Sequence, residues 1–253
     1  VRLRRAGIEP VFIFDGRTPA AKIETVERRR EARVLVKHKM ASIRAEEIIT
    51  LDNELRLAEL QSRIPHVSSR DRDDVKRLLY AAGVLFVTAT GEADDLLGYL
   101  ARTGQVCAVV STDMDMLARG VSVLVHPDTP DMTVLSEFSL SGILSGLGVS
   151  YTQFVDACML MGSDYTPHDV RTLSPPDAIE AVRDAKIGSI VSDGSALLRG
   201  EGVTWESLLA DSQREKWMIG PPLVEYEQLA EYCAEHMWPM DWRRALSGEV
   251  TST

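Results

Sequence analysis

Acidic side chains follow short apolar runs at several places along this 253-residue sequence. Asp15 follows the run 11–14, Glu92, Asp94 and Asp95 come soon after 84–87, and Asp113 and Asp115 follow 106–110. Asp164 closes a further apolar stretch, in Met161-Gly162-Ser163-Asp164-Tyr165. In open parallel sheets, ligands bind beyond the carboxyl ends of the strands, which is where these acids would lie. Carboxylates gathered on one edge repel each other and raise their own pKa values unless a cation sits among them. A cluster made only of oxygen ligands favours Mg2+ or Mn2+.

Each acid also has a plainer role. Asp113 can cap the short helix after it, and Glu92, Asp94 and Asp95 can offset the positive end of a helix dipole. One such explanation suffices for one residue, but it becomes strained for Asp15, Glu92, Asp94, Asp113 and Asp115 together. Residues two apart on a helix point about 200° away from each other. Glu92 and Asp94 can therefore share a site only if Glu92 lies at the junction between loop and helix, and Asp95 stands as a substitute.

The elements that must position these acids alternate. Runs 11–14, 84–87, 106–110 and 121–125 read as buried strands, and segments 71–82, 91–102 and 113–119 read as helices, two of them closed by Gly83 and Gly120. That rhythm predicts an α/β fold with a central, mostly parallel sheet flanked by helices. Residues 19–63 contain no internal glycine or proline and predict one very long helix or two helices in a protruding arm. After about residue 135 the apolar spacing becomes helical, through 138–147, 154–161, 178–185 and 223–232. Residues 194–222, with Gly200, Gly202 and Gly220, are expected to be irregular. The expected division is a core of 1–135, arm included, and a helical region of 136–253.

The net charge of -10 hides a strong asymmetry. Residues 1–44 carry 12 basic and 5 acidic side chains, and the rest of the chain carries 16 and 33. A basic arm on an acidic body suits a chain that holds phosphates in one place and cations in another. The alternative is that Arg28, Arg29, Arg30 and Arg33 are the solvated face of a surface helix, paired with Glu24, Glu27 and Glu31. Cys107, Cys158 and Cys233 lie far apart and the histidines form no paired spacing, so neither a disulfide framework nor a zinc site is expected. No run is apolar enough to suggest a membrane span. The expectation is an intracellular protein, nuclear if the source is a eukaryote.

Taken in order, five pieces resemble the flap endonuclease and XPG class of structure-specific 5′-nucleases. They are Gly7-Ile8-Glu9-Pro10-Val11-Phe12-Ile13-Phe14-Asp15-Gly16, Gly91-Glu92-Ala93-Asp94-Asp95, Ser111-Thr112-Asp113-Met114-Asp115, Phe154-Val155-Asp156 and Met161-Gly162-Ser163-Asp164-Tyr165. The resemblance implies a PIN-like core and places Asp15, Glu92, Asp94, Asp113, Asp115 and Asp164 at metal-binding positions for two Mg2+ ions, with Mn2+ as a substitute. It matches Lys22 and Arg29 to arch residues that contact the scissile phosphate. Their spacing of seven is almost two helical turns, which puts them on one face. Arg28, Arg33 and Arg171 complete the expected nucleic-acid contacts, with DNA ahead of RNA as the partner.

The sequence departs from the family in two places. The resemblance places the family's first metal-binding aspartate on a strand upstream of Val1, so either the segment lacks its natural beginning or another segment supplies that ligand. The family's glycine-rich turn, which grips duplex DNA, is replaced within a divergent helix-turn-helix-like segment at 151–186. There the sequence reads Arg171-Thr172-Leu173-Ser174-Pro175-Pro176-Asp177-Ala178. Ser174 and Asp177 predict a capped helix start, but the two prolines offer no N–H and Asp177 adds negative charge. No sliding-clamp peptide of the family's usual kind is recognised.

The leading functional reading is thus a metal-dependent nuclease acting on branched or 5′-ended DNA in replication or repair. An RNA-directed nuclease of the same fold and a catalytically impaired remnant that binds nucleic acid or a partner are its alternatives. A phosphatase with Asp15 as nucleophile fares poorly, because Arg17 stands where such an enzyme wants a second aspartate.

Overall fold

A computed structural model describes residues 2–19, 22–45, 50–62, 67–129, 132–163, 166, 172–184 and 190–221. The chain divides into two compact units, one of Val1–Phe12, Ala20–Phe86 and Gly220–Thr253, the other of Ile13–Pro19 and Val87–Ile219. The boundary passes through β1 (Phe12–Phe14) and β2 (Phe86–Thr88), which together form a two-stranded sheet.

In the first unit, α1 (Arg2–Arg5) precedes β1, and the arm consists of two helices, α2 (Ile23–Arg44) and α3 (Leu51–Ser62), which pack on each other. Of the two arrangements the composition allowed, the chain adopts the pair. α4 (Ser69–Ala81) begins at a capping box: Asp71 N–H donates to Ser68 Oγ at 3.2 Å, and Ser68 N–H donates to Asp71 Oδ2 at 2.6 Å. Arg4 reaches the far end of that helix, where its Nη1 donates to the Ala82 carbonyl at 3.0 Å, supplying a donor to a terminal oxygen that the helix itself leaves unpaired.

The second unit holds α5 (Ala93–Arg102), β3 (Val109–Val110), α6 (Asp115–Ala118), β4 (Val123–Pro127) and β5 (Leu135–Ser139). β4 is the middle strand, parallel to β3 with Val109 opposite Leu124, and antiparallel to β5 with Leu124 opposite Phe138. Then come α7 (Leu140–Leu147), α8 (Tyr151–Met161), α9 (Pro175–Arg183), α10 (Ile190–Arg199), α11 (Trp205–Leu208) and α12 (Asp211–Ile219). Leu96 and Leu100 of α5 are buried with Val87, Ala89, Leu208 and Leu209, and Met116 and Leu117 of α6 with Val109, Val121, Leu124 and Leu140. These two clusters fix α5 and the short α6, and so fix the loops that open them. α8 is tied to α9 by Gln153 Nε2 donating to the Val182 carbonyl at 3.0 Å, and to α10 by the fully buried Ser195 hydroxyl donating to Asp156 at 2.6 Å.

The α/β class expected from the sequence is the class observed, and two local readings change. Residues 135–139 form a strand where helical spacing was expected to begin. Only five residues long, β5 turns directly into α7 at Ser139, whose Oγ accepts from Gly142 N–H at 3.4 Å. The described part of 194–222, which ends at 221, is not irregular: it includes most of α10 and all of α11 and α12. Gly200 and Gly202 fall in the turn after α10 and Gly220 after α12, at φ of 64°, 76° and 88°. They terminate helices instead of dissolving them. The helix expected at 223–232 lies outside the described residues. Among those described, no single helix is long and apolar enough to cross a membrane.

Candidate metal and phosphate site

Asp15, Glu92 and Asp94 lie where β1 and β2 end, and the charge of Asp113, after β3, reaches Asp94, all within the second unit. The loop after β1 runs tightly against the loop after β2: Gly16 N–H donates to the Gly91 carbonyl at 2.7 Å, and Arg17 N–H to the Thr90 carbonyl at 3.0 Å. A Cβ on Gly16 would lie 2.0 Å from the Ala89 carbonyl oxygen, so only glycine permits this approach. Asp15 is thereby delivered to the start of α5, where its Oδ1 accepts a hydrogen bond from Ala93 N–H at 2.8 Å. Glu92 is the residue before the helix, extended at φ -78° and ψ 143°, and makes no capping bond of its own. It therefore occupies the loop-to-helix junction that a shared site with Asp94 requires.

Asp94 is the most perturbed of the group. Burial is the largest cause of its rise to about 6; Arg119 opposes the rise, while the charges of Asp113, Glu92 and Asp15 add to it. Three neighbouring carboxylates are thus close enough to work against the ionisation of Asp94. Asp113 is held by its own loop after β3: its N–H donates to Ser111 Oγ at 3.0 Å, and its Oδ1 accepts from Asp115 N–H at 2.9 Å. The capping role considered for Asp113 is not taken up: the N-cap of α6 is Met114, without a side-chain capping bond, and the contact of Asp113 is local to its loop, which leaves it among the charges around Asp94. Asp115 opens α6, and its charge is felt at the half-buried Cys158 thiol, which burial chiefly pushes up to about 11.

Asp95 goes elsewhere. Its carboxylate pairs with Nη1 of Arg119, while Nη2 of the same guanidinium stands 3.4 Å from Glu92 Oε2. Arg119 is only 3% exposed. This arginine was missed by sequence reasoning, where it passes for an ordinary cation at the end of a helix. The available signal was its position between the apolar Met116-Leu117-Ala118 and Gly120, an uninterrupted buried turn with a charge at its end.

Among the described residues, no three carboxylate, imidazole or thiol groups already surround one point as a finished cation cage. The donor set nevertheless fits a hard divalent ion, being all oxygen and negatively charged, with Asp94 lifted chiefly by burial and further by its acidic neighbours. Lys22 immediately precedes α2, and Arg28, Arg29 and Arg33 lie along it with exposed side chains, Arg33 Nε donating to the Arg29 carbonyl at 3.1 Å. Asp164 and Arg171 lie outside the described residues. The replaced turn is a helix start as expected: α9 has Pro175 and Pro176 in its first two positions, Ser174 Oγ accepts from Asp177 N–H at 3.5 Å, and Ser174 Oγ donates to Asp177 Oδ2 at 2.6 Å.

Residues 83–164 match the XPG I-region and residues 1–36 the XPG N-terminal domain. Flap endonuclease 1 of Xenopus tropicalis is 33% identical over 189 residues, which is 74% of this chain and 48% of that protein. The chain thus spans about half the length of the curated relatives it matches. The catalytic core of Rad2 in complex with DNA substrate superimposes with a TM-score of 0.61 at 18% identity, covering 97% of this chain and 79% of that one. The Holliday junction-resolving enzyme GEN1 in complex with product DNA and Mg2+ ion does so with a TM-score of 0.56 at 18% identity, covering 92% of this chain and 57% of that one. Both matched segments are domains of the XPG family, and the chain is similar to flap endonucleases over most of its length.

Proposed function

We propose that the protein is a divalent-metal-dependent nuclease that hydrolyses phosphodiester bonds near a 5′ end or a branch in DNA, in replication or repair. The observation that carries this reading is the crowding of Asp15, Glu92 and Asp113 around Asp94 at the start of α5, in a chain whose matched segments are domains of the XPG family. Asp15, Glu92, Asp94, Asp113 and Asp115, with Asp164, are the residues that would hold the metal. When bound, two Mg2+ ions, or Mn2+ in their place, supply Lewis acidity that lowers the pKa of water and stabilises charge on phosphoryl oxygens. The neighbouring structures with DNA and with Mg2+ support this assignment of partner and ion.

Lys22 and Arg29 hold the reacting phosphate in this reading, and Arg28, Arg33 and Arg171 hold flanking phosphates. Such contacts position the strand and carry no base information. Residues 1–135 form the nuclease core with its arm, and 136–253 the helical region. Because Pro175 and Pro176 lack N–H groups and Ser174 takes the first one available, α9 offers little to a duplex phosphate. That specific observation favours a second reading in which unstructured strands, RNA included, are cut as readily as flaps.

The test is cleavage of end-labelled DNA bearing a 5′ flap, a blunt 5′ end or no structure, with Mg2+ and with EDTA. Cleavage confined to the Mg2+ arm supports the reading. Undiminished cleavage in EDTA removes it.

A further inference from the structure

Arg119 is a buried cation inside a cluster of acids, and three features of the sequence serve to put it there. It follows α6, whose Met116, Leu117 and Ala118 are all buried, and its own N–H donates to the Asp115 carbonyl at 3.1 Å. Gly98 on α5 clears the space, since a Cβ there would stand 3.0 Å from the Arg119 carbonyl oxygen and 3.1 Å from Arg119 Cβ. Gly120, at φ 83°, lets the chain leave immediately afterwards, and a Cβ on it would meet Arg102 at 2.9 Å. Arg102 in turn donates to the Arg119 carbonyl. The guanidinium lies against the start of α5, where it divides its two terminal nitrogens between Asp95 and Glu92.

We propose that Arg119 is a positioning residue of the metal site: its planar fork uses Asp95 as an anchor and holds the Glu92 carboxylate in a ligating orientation. The inference rests on the reading of Glu92 as a metal ligand. Asp95 is the counterweight in this arrangement, one step removed from the cation, and its pairing with Arg119 keeps a net single negative charge on the three groups. A lysine cannot replace the arginine, because one ammonium on a flexible stem does not span two carboxylates as a rigid fork does. Groups that orient ligands from behind commonly change metal affinity by about 10 to 100-fold when removed.

The experiment is a titration of Mn2+ against the whole chain without nucleic acid, following free Mn2+ by electron paramagnetic resonance. The proteins compared are wild type, Arg119→Lys, and the pair Asp95→Asn with Arg119→Gln. The double variant keeps the net charge and leaves no orphaned buried ion, so it is expected to fold, and far-UV circular dichroism checks that it does. Both variants are expected to bind Mn2+ at least about 10-fold more weakly than wild type. Wild-type affinity in the double variant would overturn the proposal, showing that Arg119 only neutralises Asp95. Tighter binding would also overturn it, identifying Arg119 as a competitor of the metal. If wild type itself binds no Mn2+, the metal-site reading fails first and takes this one with it.

Discussion

Asp15 and Ala93 are 78 residues apart in the sequence, and the Asp15 carboxylate caps the Ala93 N–H at 2.8 Å. One side chain therefore closes the start of α5 and sits among the acids of the candidate site. The two roles separate by substitution. Asp15→Asn keeps an acceptor oxygen and loses the charge, whereas Asp15→Ala loses both. The alanine variant should be about 1 kcal/mol less stable in urea unfolding, and the asparagine variant close to wild type. Both should lose cleavage, because the ligand charge is gone in each. Cleavage retained by Asp15→Asn would reduce Asp15 to a helix cap.

Asp113→Asn follows the same logic, since its acceptor bond to Asp115 N–H survives the change. Turnover should fall by roughly 100-fold or more, with nucleic-acid affinity unchanged or slightly higher as a facing negative charge is removed. Single-turnover rates and equilibrium binding to the same flap substrate separate the two quantities. A parallel loss of both would indicate unfolding of the loop after β3.

Asp94 gives the metal-free protein a pH dependence. Its folded pKa of about 6 lies above the ordinary 3.8, so the folded chain binds the proton more tightly than the unfolded chain does. The associated stability is present below the ordinary value and is lost as pH rises through the interval up to about 6. Urea midpoints in EDTA should fall from about pH 4 to about pH 7, and Asp94→Asn should flatten that slope. Mg2+ should raise the wild-type midpoint at about pH 7 by binding the folded state alone. A wild-type slope matched by the asparagine variant would remove Asp94 as its source.

Lys22→Ala and Arg29→Ala should each slow cleavage by about 2 to 4 kcal/mol if the two act as a clamp on the reacting phosphate. Arg28, about 100° around α2 from Arg29, should matter much less. Equal effects from Arg28→Ala and Arg29→Ala, measured as kcat/KM on one substrate, would make the arm a diffuse basic surface.

The start of α9 predicts relaxed dependence on duplex structure. A flap on a duplex and an unstructured strand of the same sequence should be cut at similar rates. A variant with Ser174→Gly, Pro175→Gly and Asp177→Lys should gain preference for the duplex, because it restores N–H groups and removes the negative charge. A strong duplex preference already present in wild type, and unchanged in the variant, would show that other residues grip the duplex.

Local pattern carries much of this structure. The apolar runs ahead of Asp15, Glu92 and Asp113 place strands within a few residues of those observed, and the helical stop at Gly83 is where α4 ends. Ser174 and Asp177 announce the capped start of α9 through side-chain chemistry that acts over three residues. β5 was hidden because its membership depends on pairing Phe138 with Leu124, a partner elsewhere in the chain. Arg119 was hidden for the same reason. Its partners lie 24 and 27 residues earlier, and nothing in Asp115-Met116-Leu117-Ala118-Arg119 shows which way the guanidinium will turn. What converges from distant segments requires the fold. The contacts of Glu92 and Asp95 with one buried guanidinium are of this kind, visible only once the fold brings the two segments together.

The most direct measurement is a Mg2+ titration of single-turnover cleavage on a preformed complex with 5′-flap DNA, comparing wild type with Asp94→Asn. The account predicts saturable, Mg2+-dependent release of the 5′ arm in wild type, and its loss in Asp94→Asn with the DNA still bound. Cleavage that ignores both the metal and the substitution would contradict it.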